Sequence, residues 1–381
     1  MKPLPLAPLA LRSVEAFVFR WPVKTPVRTS FGTMRDRPAL FIRATDVDGH
    51  SGWGEVWCNF PACGAEHRAQ LVTTVMAPLL EGNEFTGPLQ AFEHLTRCTA
   101  VLALQSGEPG PIAQAIAGID LALWDLCARR AKQPLWRFLG GDSGRIGVYA
   151  SGINPDQPEA MALAKRAEGY DAFKLKIGFG VERDLANLQA MRDAIGPDSA
   201  LMVDANQGWT LAQALEFVPR LERFNLGWLE EPLRADRPWR EWQALRASTP
   251  LPLAAGENIA GLQAFEDALS ASVLTVVQPD AAKWGGISGC WDVIARVHAA
   301  GARFCPHYLG AGIGLLASGH LLAATGGDGW LEVDANENPL RSTLCGALGD
   351  VDAGRVDLGD APGIGIDPDL DHLRRSFPTH R

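Results

Sequence analysis

Eight ionisable side chains between residues 174 and 332 stand at matching points of a repeating pattern, and their types define the chemistry available. Phe173 to Gly178 read FKLKIG. Period-two geometry sends Lys174 and Lys176 to one face of a strand and Phe173, Leu175 and Ile177 to the other. Asp204, Glu230 and Glu257 close three later apolar runs, and Asp280, His307 and Glu332 close three more. Three carboxylates brought to one place repel unless a cation joins them, and an all-oxygen set suits Mg2+ better than zinc, which favours His and Cys. Asp280 beside His307 makes a dyad in which the carboxylate fixes the ring tautomer and raises its basicity. A lysine pair facing such a metal is pushed toward the neutral amine by mutual repulsion and by the cation, which makes one of the two a base near neutrality. A lone strand-end acid is more often a helix cap, and a lone histidine more often a satisfied core residue. Three acids in succession, and an aspartate partner for the histidine, outweigh those plainer readings.

These residues need a frame that gathers strand ends. From about residue 146 short apolar strands alternate with amphipathic stretches, with strands expected at 148–153, 173–178, 200–206, 226–232, 252–258, 274–280, 303–307 and 330–336. The intervening segments 159–169, 184–195 and 211–221 carry apolar residues at helical spacing. Eight βα units in one run predict a (β/α)8 barrel, whose active site lies at the C-terminal strand ends. A solvated lysine pair on an edge strand is excluded, because barrel strands have no solvated edge. The first 110 residues differ: 13–22 and 37–57 suggest an antiparallel meander with a hairpin turn at Asp48-Gly49. Segments 69–82 and 112–131 look helical, which makes this a separate α+β domain. The Gly-, Asp- and Pro-rich tail, 354–367, is too poor in apolar surface to fold alone and is expected to pair back onto the N-terminal domain.

Composition narrows the partners. A net charge of −9 argues against nucleic acid and anionic membranes. Seven scattered cysteines without a CxxC pair indicate reduced thiols rather than a disulfide framework. Pro3, Pro5 and Pro8 break the first apolar run, and no stretch approaches the length of a membrane span, so a cytoplasmic location is expected.

Taken together, Lys174-Leu175-Lys176, Val203-Asp204-Ala205-Asn206, Leu229-Glu230-Glu231-Pro232, Gly256-Glu257-Asn258, Gln278-Pro279-Asp280 with Lys283 and Gly285-Gly286, His307 and Trp330-Leu331-Glu332 resemble the mandelate racemase group of the enolase superfamily. The likeness spans the chain, including IDLALWDL (119–126) and LGG (139–141). It is specific because the KxK pair and the Asp/His pair occur together. The resemblance implies a modified (β/α)8, TIM-like barrel with an N-terminal α+β capping domain completed by the C-terminal tail. The corresponding spans are 1–140 for the cap, 141–345 for the barrel and 346–381 for the returning tail.

Carried over residue by residue, the resemblance makes Asp204, Glu230 and Glu257 the ligands of one Mg2+ per subunit, with Glu231 sent the other way by alternation. Lys176 becomes the base on one face of the substrate carbon, and His307, oriented by Asp280, acts on the other. Lys174 helps hold the substrate carboxylate, Glu332 hydrogen-bonds the carboxylate oxygen as an enediolate forms, Lys283 supports the Asp280 side, and Asn206 joins the substrate contacts. A Lys or His base working with Mg2+ is the established pattern of the superfamily, not something these residues prove by themselves. Two cap loops, 22–33 and 57–64, are expected to select the substrate, with Lys24, Arg28, Asn59 and Phe60 as contacts. Their cationic and polar character suits a hydroxylated acid, an aldonate or aldarate, dehydrated to a 2-keto-3-deoxy acid. Racemisation or epimerisation of an α-hydroxy or α-amino acid is the second reading, and a non-catalytic ligand-binding barrel a distant third. A small carboxylate partner and a homo-oligomer complete the expectation.

Overall fold

The computed structural model describes residues 1–28 and 32–377, without the side chains of Thr25 and Arg28. Its cap is an antiparallel sheet in the order β3-β2-β1-β4, made of β1 (Leu9–Arg28), β2 (Thr33–Asp46), β3 (Ser51–Val56) and β4 (Glu84–Phe85). The expected hairpin turn is there: Gly49 takes φ +92°, and Asp46 N donates to His50 O at 3.0 Å. Helix Pro109–Arg130 presses closely on β3 because Gly54 lacks a side chain; a Cβ there would meet Gly118 O at 2.1 Å. That helix is long and apolar enough by composition to cross a membrane, contrary to expectation, but 89% of its apolar window is buried inside the protein. The predicted helix at 69–82 is the end of a longer one that starts at Gly64 and passes through a π-turn at Val72–Met76. Helix Pro88–Ser106 was not anticipated: it buries only Pro88, Ala91, Leu95 and Thr99, and its exposed Val101 and Leu104 blur the periodicity.

The barrel strands are β5 (Arg145–Ile153), β6 (Ala172–Lys176), β7 (Ala200–Asp204), β8 (Leu229–Glu230), β9 (Leu253–Ala255), β10 (Leu274–Val277), β11 (Arg303–Phe304) and β12 (Trp330–Asp334). All pair in parallel in the order β12-β5-β6-β7-β8-β9-β10-β11. Closure between β11 and β12 is loose, with Glu332 N donating to Pro306 O at 3.5 Å. Each of the first seven strands is followed by a full helix, whereas β12 is followed only by the four-residue turn Pro339–Ser342. The (β/α)8 expectation therefore holds for the strands and stops one helix short. Local sequence explains the starts: Thr210 and Gln213 form a reciprocal capping box, Thr210 N to Gln213 Oε1 at 2.9 Å, that opens helix Leu211–Leu221.

Side chains sort by parity. Phe173, Leu175, Val203, Leu229, Leu253 and Val277 point outward to the helices and are completely buried, at about 1.5–3 kcal/mol each. Tyr149, Met202, Trp228, Ala254, Val276 and Cys305 fill the interior as a separate layer, so the barrel is a packed core with its polar residues stacked above it. The tail strand β13 (Arg355–Asp357) adds antiparallel to β5 of the barrel, not to the cap sheet. The rest of the tail returns to the cap as expected: Ile364 N donates to Asp125 Oδ1 at 2.7 Å, and Phe377 packs edge-on against Trp21 of β1 with ring centroids 5.8 Å apart.

Candidate active site at the mouth of the barrel

Strand register builds the first row of the site. Lys176 lies beside Asp204 and Asp204 beside Glu230 on the inner faces of β6, β7 and β8. Glu257, Asp280 and His307 follow the ends of β9, β10 and β11. Gly256 permits the turn before Glu257, with φ +154° and a backbone so close to Gln278 that a Cβ would sit 2.5 Å from its N. A cavity of about 220 Å³ opens here, lined on the barrel side by Lys176, Asp204, Asn206, Glu257, Lys283, His307 and Glu332.

The two lysines share a face but not a role. Both are buried, Lys176 in the cavity wall and Lys174 beneath it, outside the lining. Lys174 Nζ stands 2.5 Å from Glu230 Oε2, 2.8 Å from Glu332 Oε1 and 5.4 Å over the Tyr149 ring. Burial alone lowers its pKa, but Glu230 and Glu332 outweigh burial and hold it well above the usual range. Crowding therefore does not depress Lys174, and its ammonium is spent on protein carboxylates rather than offered to the cavity. Lys176 is the lysine with access.

Each acid of the expected metal set is held by a protein donor. Asp204 accepts from Asn206 N at 2.7 Å and Asn206 Nδ2 at 2.6 Å, and burial, with Glu230 adding to it, pushes its carboxyl up to about 7. Glu230 Oε2 also accepts from Gln278 Nε2 at 2.7 Å and Trp228 Nε1 at 3.2 Å. Glu257 meets His307 Nε2 at 2.6 Å and Asn258 Nδ2 at 2.9 Å. Glu231, expected to point away, is itself buried with φ +39°, its two oxygens each 3.0 Å from Asn258 Nδ2; burial and then Glu257 push its carboxyl well up. A wall of buried acids with only oxygen donors, two of them, Asp204 and Glu231, raised by burial and then by like-charged neighbours, fits a hard divalent cation. Asp204, Glu230 and Glu257 would hold it, with Glu257 exchanging His307 for the ion. A different group, Asp46, Asp48 and His50, brings its ligand atoms within 4.8 Å of one another on the cap hairpin, remote from the acids of the barrel mouth, with Asp48 and His50 exposed.

His307 Nδ1 lies 2.7 Å from Asp280 Oδ2, while Asp280 Oδ1 accepts from Ala282 N at 2.8 Å and Lys283 N at 3.1 Å. The aspartate is thus fixed by backbone before it orients the ring. Burial disfavours charge on the ring, but Glu257, Glu332 and the Asp280 hydrogen bond outweigh it and raise its pKa well above the ordinary value. These neighbours favour the imidazolium form, which can donate from Nε2. Glu332 Oε1 takes Lys174 and the Ser151 hydroxyl, whereas buried Oε2 has no hydrogen-bond partner among the described residues and lies 3.8 Å from His307 Nε2. Burial raises its carboxyl, Lys174 and His307 more than offset that, and the group stays a carboxylate. It is an acceptor as it stands, so donating to an enediolate oxygen requires that it first take up a proton. Only the backbone of Lys283 supports Asp280; its Nζ turns to Asn258 Oδ1 at 2.9 Å and lies 4.7 Å over the Trp57 ring.

The cap closes the cavity with Val27, Met34, Trp57, Asn59 and Phe60, a more apolar wall than expected. Asn59 and Phe60 are in place. Lys24 is exposed and absent from the described lining, and the side chain of Arg28 lies outside the described residues. Sequence reasoning missed Ser151, Trp228, Asn258 and Gln278 as partners of the charged row. The signal was present for two of them, since Trp228 and Gln278 stand two residues before Glu230 and Asp280 and so share their face.

Residues 159–372 match the enolase C-terminal domain-like family, and residues 13–140 match the mandelate racemase / muconate lactonizing enzyme N-terminal domain. The D-galactarolactone cycloisomerase of Agrobacterium fabrum is 30% identical over 381 residues, covering 96% of this chain and 98% of its own. A crystal structure of a mandelate racemase/muconate lactonizing enzyme from Bordetella bronchiseptica RB50 is 59% identical, with 97% and 100% of the two chains covered and a TM-score of 0.93. A racemase from Streptomyces coelicolor A3(2) with bound magnesium is 28% identical, with 96% and 99% covered and a TM-score of 0.85. Further relatives carry the names arabinonate dehydratase, L-talarate/galactarate dehydratase and hydrophobic dipeptide epimerase.

Proposed function

Since the chain belongs to the mandelate racemase / muconate lactonizing enzyme family of the enolase superfamily, we propose that it removes the proton α to a carboxylate, and that its substrate is a sugar acid which it dehydrates to a 2-keto-3-deoxy acid. One observation carries this reading: Lys176 and His307, a base and an acid at the ends of different strands, line the same cavity as Asp204 and Glu257. Asp204, Glu230 and Glu257 would hold Mg2+, which when bound supplies the Lewis acidity that an α-carboxylate proton needs before a side chain can take it. Lys176 Nζ accepts that proton. His307, with Glu332 and Asp280 favouring its charged form, gives its Nε2 proton to the β-hydroxyl, which leaves as water. The resulting enol then becomes the 2-keto acid. Lys174 stays an ammonium beneath the floor and fixes Glu230 and Glu332 in place. Positioned acid–base groups of this kind contribute roughly 10²–10⁴-fold each.

Amide groups on the barrel wall, Asn206, Gln207 and Asn258, support a hydroxylated substrate, as do the relatives with sugar-acid names. A second reading, racemisation or epimerisation, is favoured by the apolar cap wall of Val27, Met34, Trp57 and Phe60. Incubation with aldonates and aldarates in the presence of Mg2+, followed by semicarbazide detection of 2-keto acids, decides between them. Dehydration predicts keto product from at least one acid, lost in Lys176→Ala and His307→Asn. α-Proton exchange without keto product would replace dehydration by epimerisation.

A further inference from the structure

We propose that Glu55, a residue of the cap, is a positioning residue for His307, so that the cap sets the geometry of one of the two bases as well as the shape of the pocket. The inference rests on His307 acting on the substrate, as above, and adds a residue that touches neither substrate nor metal.

Glu55 sits on β3, just past the glycine that lets the cap helix approach, and only 2% of it is exposed. Among the described residues no ion pair includes it. Its oxygens instead accept two backbone N–H groups across the domain boundary, Ala311 N at 2.6 Å and Gly314 N at 2.9 Å. These N–H groups open helix Gly312–Thr325, which begins five residues after His307. A helix start presents unsatisfied N–H groups and partial positive charge, normally met by a side chain of its own N-cap residue. This helix has alanine at that position and no side-chain cap of its own. The cap's carboxylate supplies what the barrel sequence lacks.

Two more contacts place the same cap segment on both loops of the dyad. Asn59 Nδ2 donates to Leu309 O at 2.5 Å, on the loop after His307. Trp57 N donates to Ala282 O at 3.1 Å, on the loop after Asp280. His307 is therefore gripped at Nδ1 by Asp280 and, through its own loop, by Glu55 and Asn59. Burying an uncompensated carboxylate is costly, and burial pushes Glu55 up to about 7, with Tyr308, Asp280 and Cys58 as its titratable neighbours. Simple helix capping could be done by a barrel serine or aspartate at lower cost. Placing the acid on the other domain ties the loop to a docked cap.

The test compares wild type and Glu55→Gln as full chains with Mg2+. The amide can accept only one of the two N–H groups and turns a donor toward the other. The first readout is solvent-deuterium exchange at C2 with the epimer pairs galactarate/L-talarate and D-gluconate/D-mannonate. Lys176 and His307 each serve one face, His307 as the neutral ring when it takes a proton, so exchange on the His307 face falls roughly 10–100-fold, while exchange on the Lys176 face stays within about twofold. Equal loss on both faces means a general structural role and overturns the proposal. The second readout needs no substrate: the ring N–H resonance of His307 toward Asp280 is expected to shift or broaden in Glu55→Gln, and an unchanged resonance overturns the proposal. If wild type exchanges none of these acids, the functional reading fails on its own and the resonance alone decides the role of Glu55. Should Glu55→Gln not fold, Glu55→Asp, one methylene too short to span both N–H groups, carries the same readouts, with an intermediate effect expected and none contradicting it.

Discussion

Lys176 and Lys174 show how far residue types alone reach. Alternation put both on the inner face of one strand, and both are there, but which of them opens to the cavity depends on depth along the barrel, and depth is set by the interior layer of Tyr149, Met202 and Trp228 beneath them. His307 was legible through its aspartate. Glu231 was misread because a left-handed φ of +39° breaks the alternation just after the two-residue strand Leu229–Glu230. Glu55 was invisible as a site residue, since nothing local in GWGEV says that its carboxylate will find another domain's backbone. Its burial yields a stability prediction with a definite sign. The folded pKa, about 7, exceeds the ordinary value of 4.5, so between those values the unfolded chain gives up the proton first. The associated stability is present below pH 4.5 and lost as pH rises through 7. Wild type is thus expected to lose about 3 kcal/mol relative to Glu55→Gln between pH 4.5 and 7, measured as the difference in urea-unfolding free energy at the two ends. A difference that stays flat or runs the other way contradicts this account of Glu55.

At the level of elements, periodicity located all eight barrel strands, because apolar residues on their outer faces keep a strict period, and it placed the helices 159–169, 184–195 and 211–221 close to where they lie. It did not reveal that the last helix is missing or that the tail strand joins β5, which are matters of topology rather than pattern. The helix motif IDLALWDL was noticed without a reason for its two aspartates, and the structure supplies one. Asp120 reaches across to the helix that follows Asp280, accepting Ser288 N at 3.0 Å and Ser288 Oγ at 2.6 Å, while Trp124 Nε1 donates to the same hydroxyl at 2.9 Å. Asp125 accepts Trp53 N at 2.8 Å and Ile364 N at 2.7 Å. These are pins between elements far apart in the chain. Asp120→Ala is expected to cost about 1–3 kcal/mol by leaving Ser288 N unpaired and its hydroxyl without an acceptor in the interior, read as a lower urea midpoint with an unchanged slope. A midpoint unmoved from wild type would show that the pin contributes nothing.

For the molecule as a whole, cap and barrel act together. Buried Arg37 of β2 pairs with Asp334 of β12 at 2.6 Å, Glu55 holds the His307 loop, and Trp57 carries Lys283, so the wall that closes the cavity is also the clamp on its chemistry. The net charge of −9 works against an anionic substrate at long range, and Lys283 and His307 supply local positive charge at the mouth. A crystal structure with Mg2+ and a 2-hydroxy acid bound is the most direct test of the central claim. It is predicted to show the ion bonded to Asp204, Glu230 and Glu257, with Glu257 released from His307, and the substrate α-carbon touching Lys176 Nζ on one side and His307 Nε2 on the other. An ion seated instead at Asp46, Asp48 and His50, or an α-carbon within reach of only one of the two bases, would contradict it.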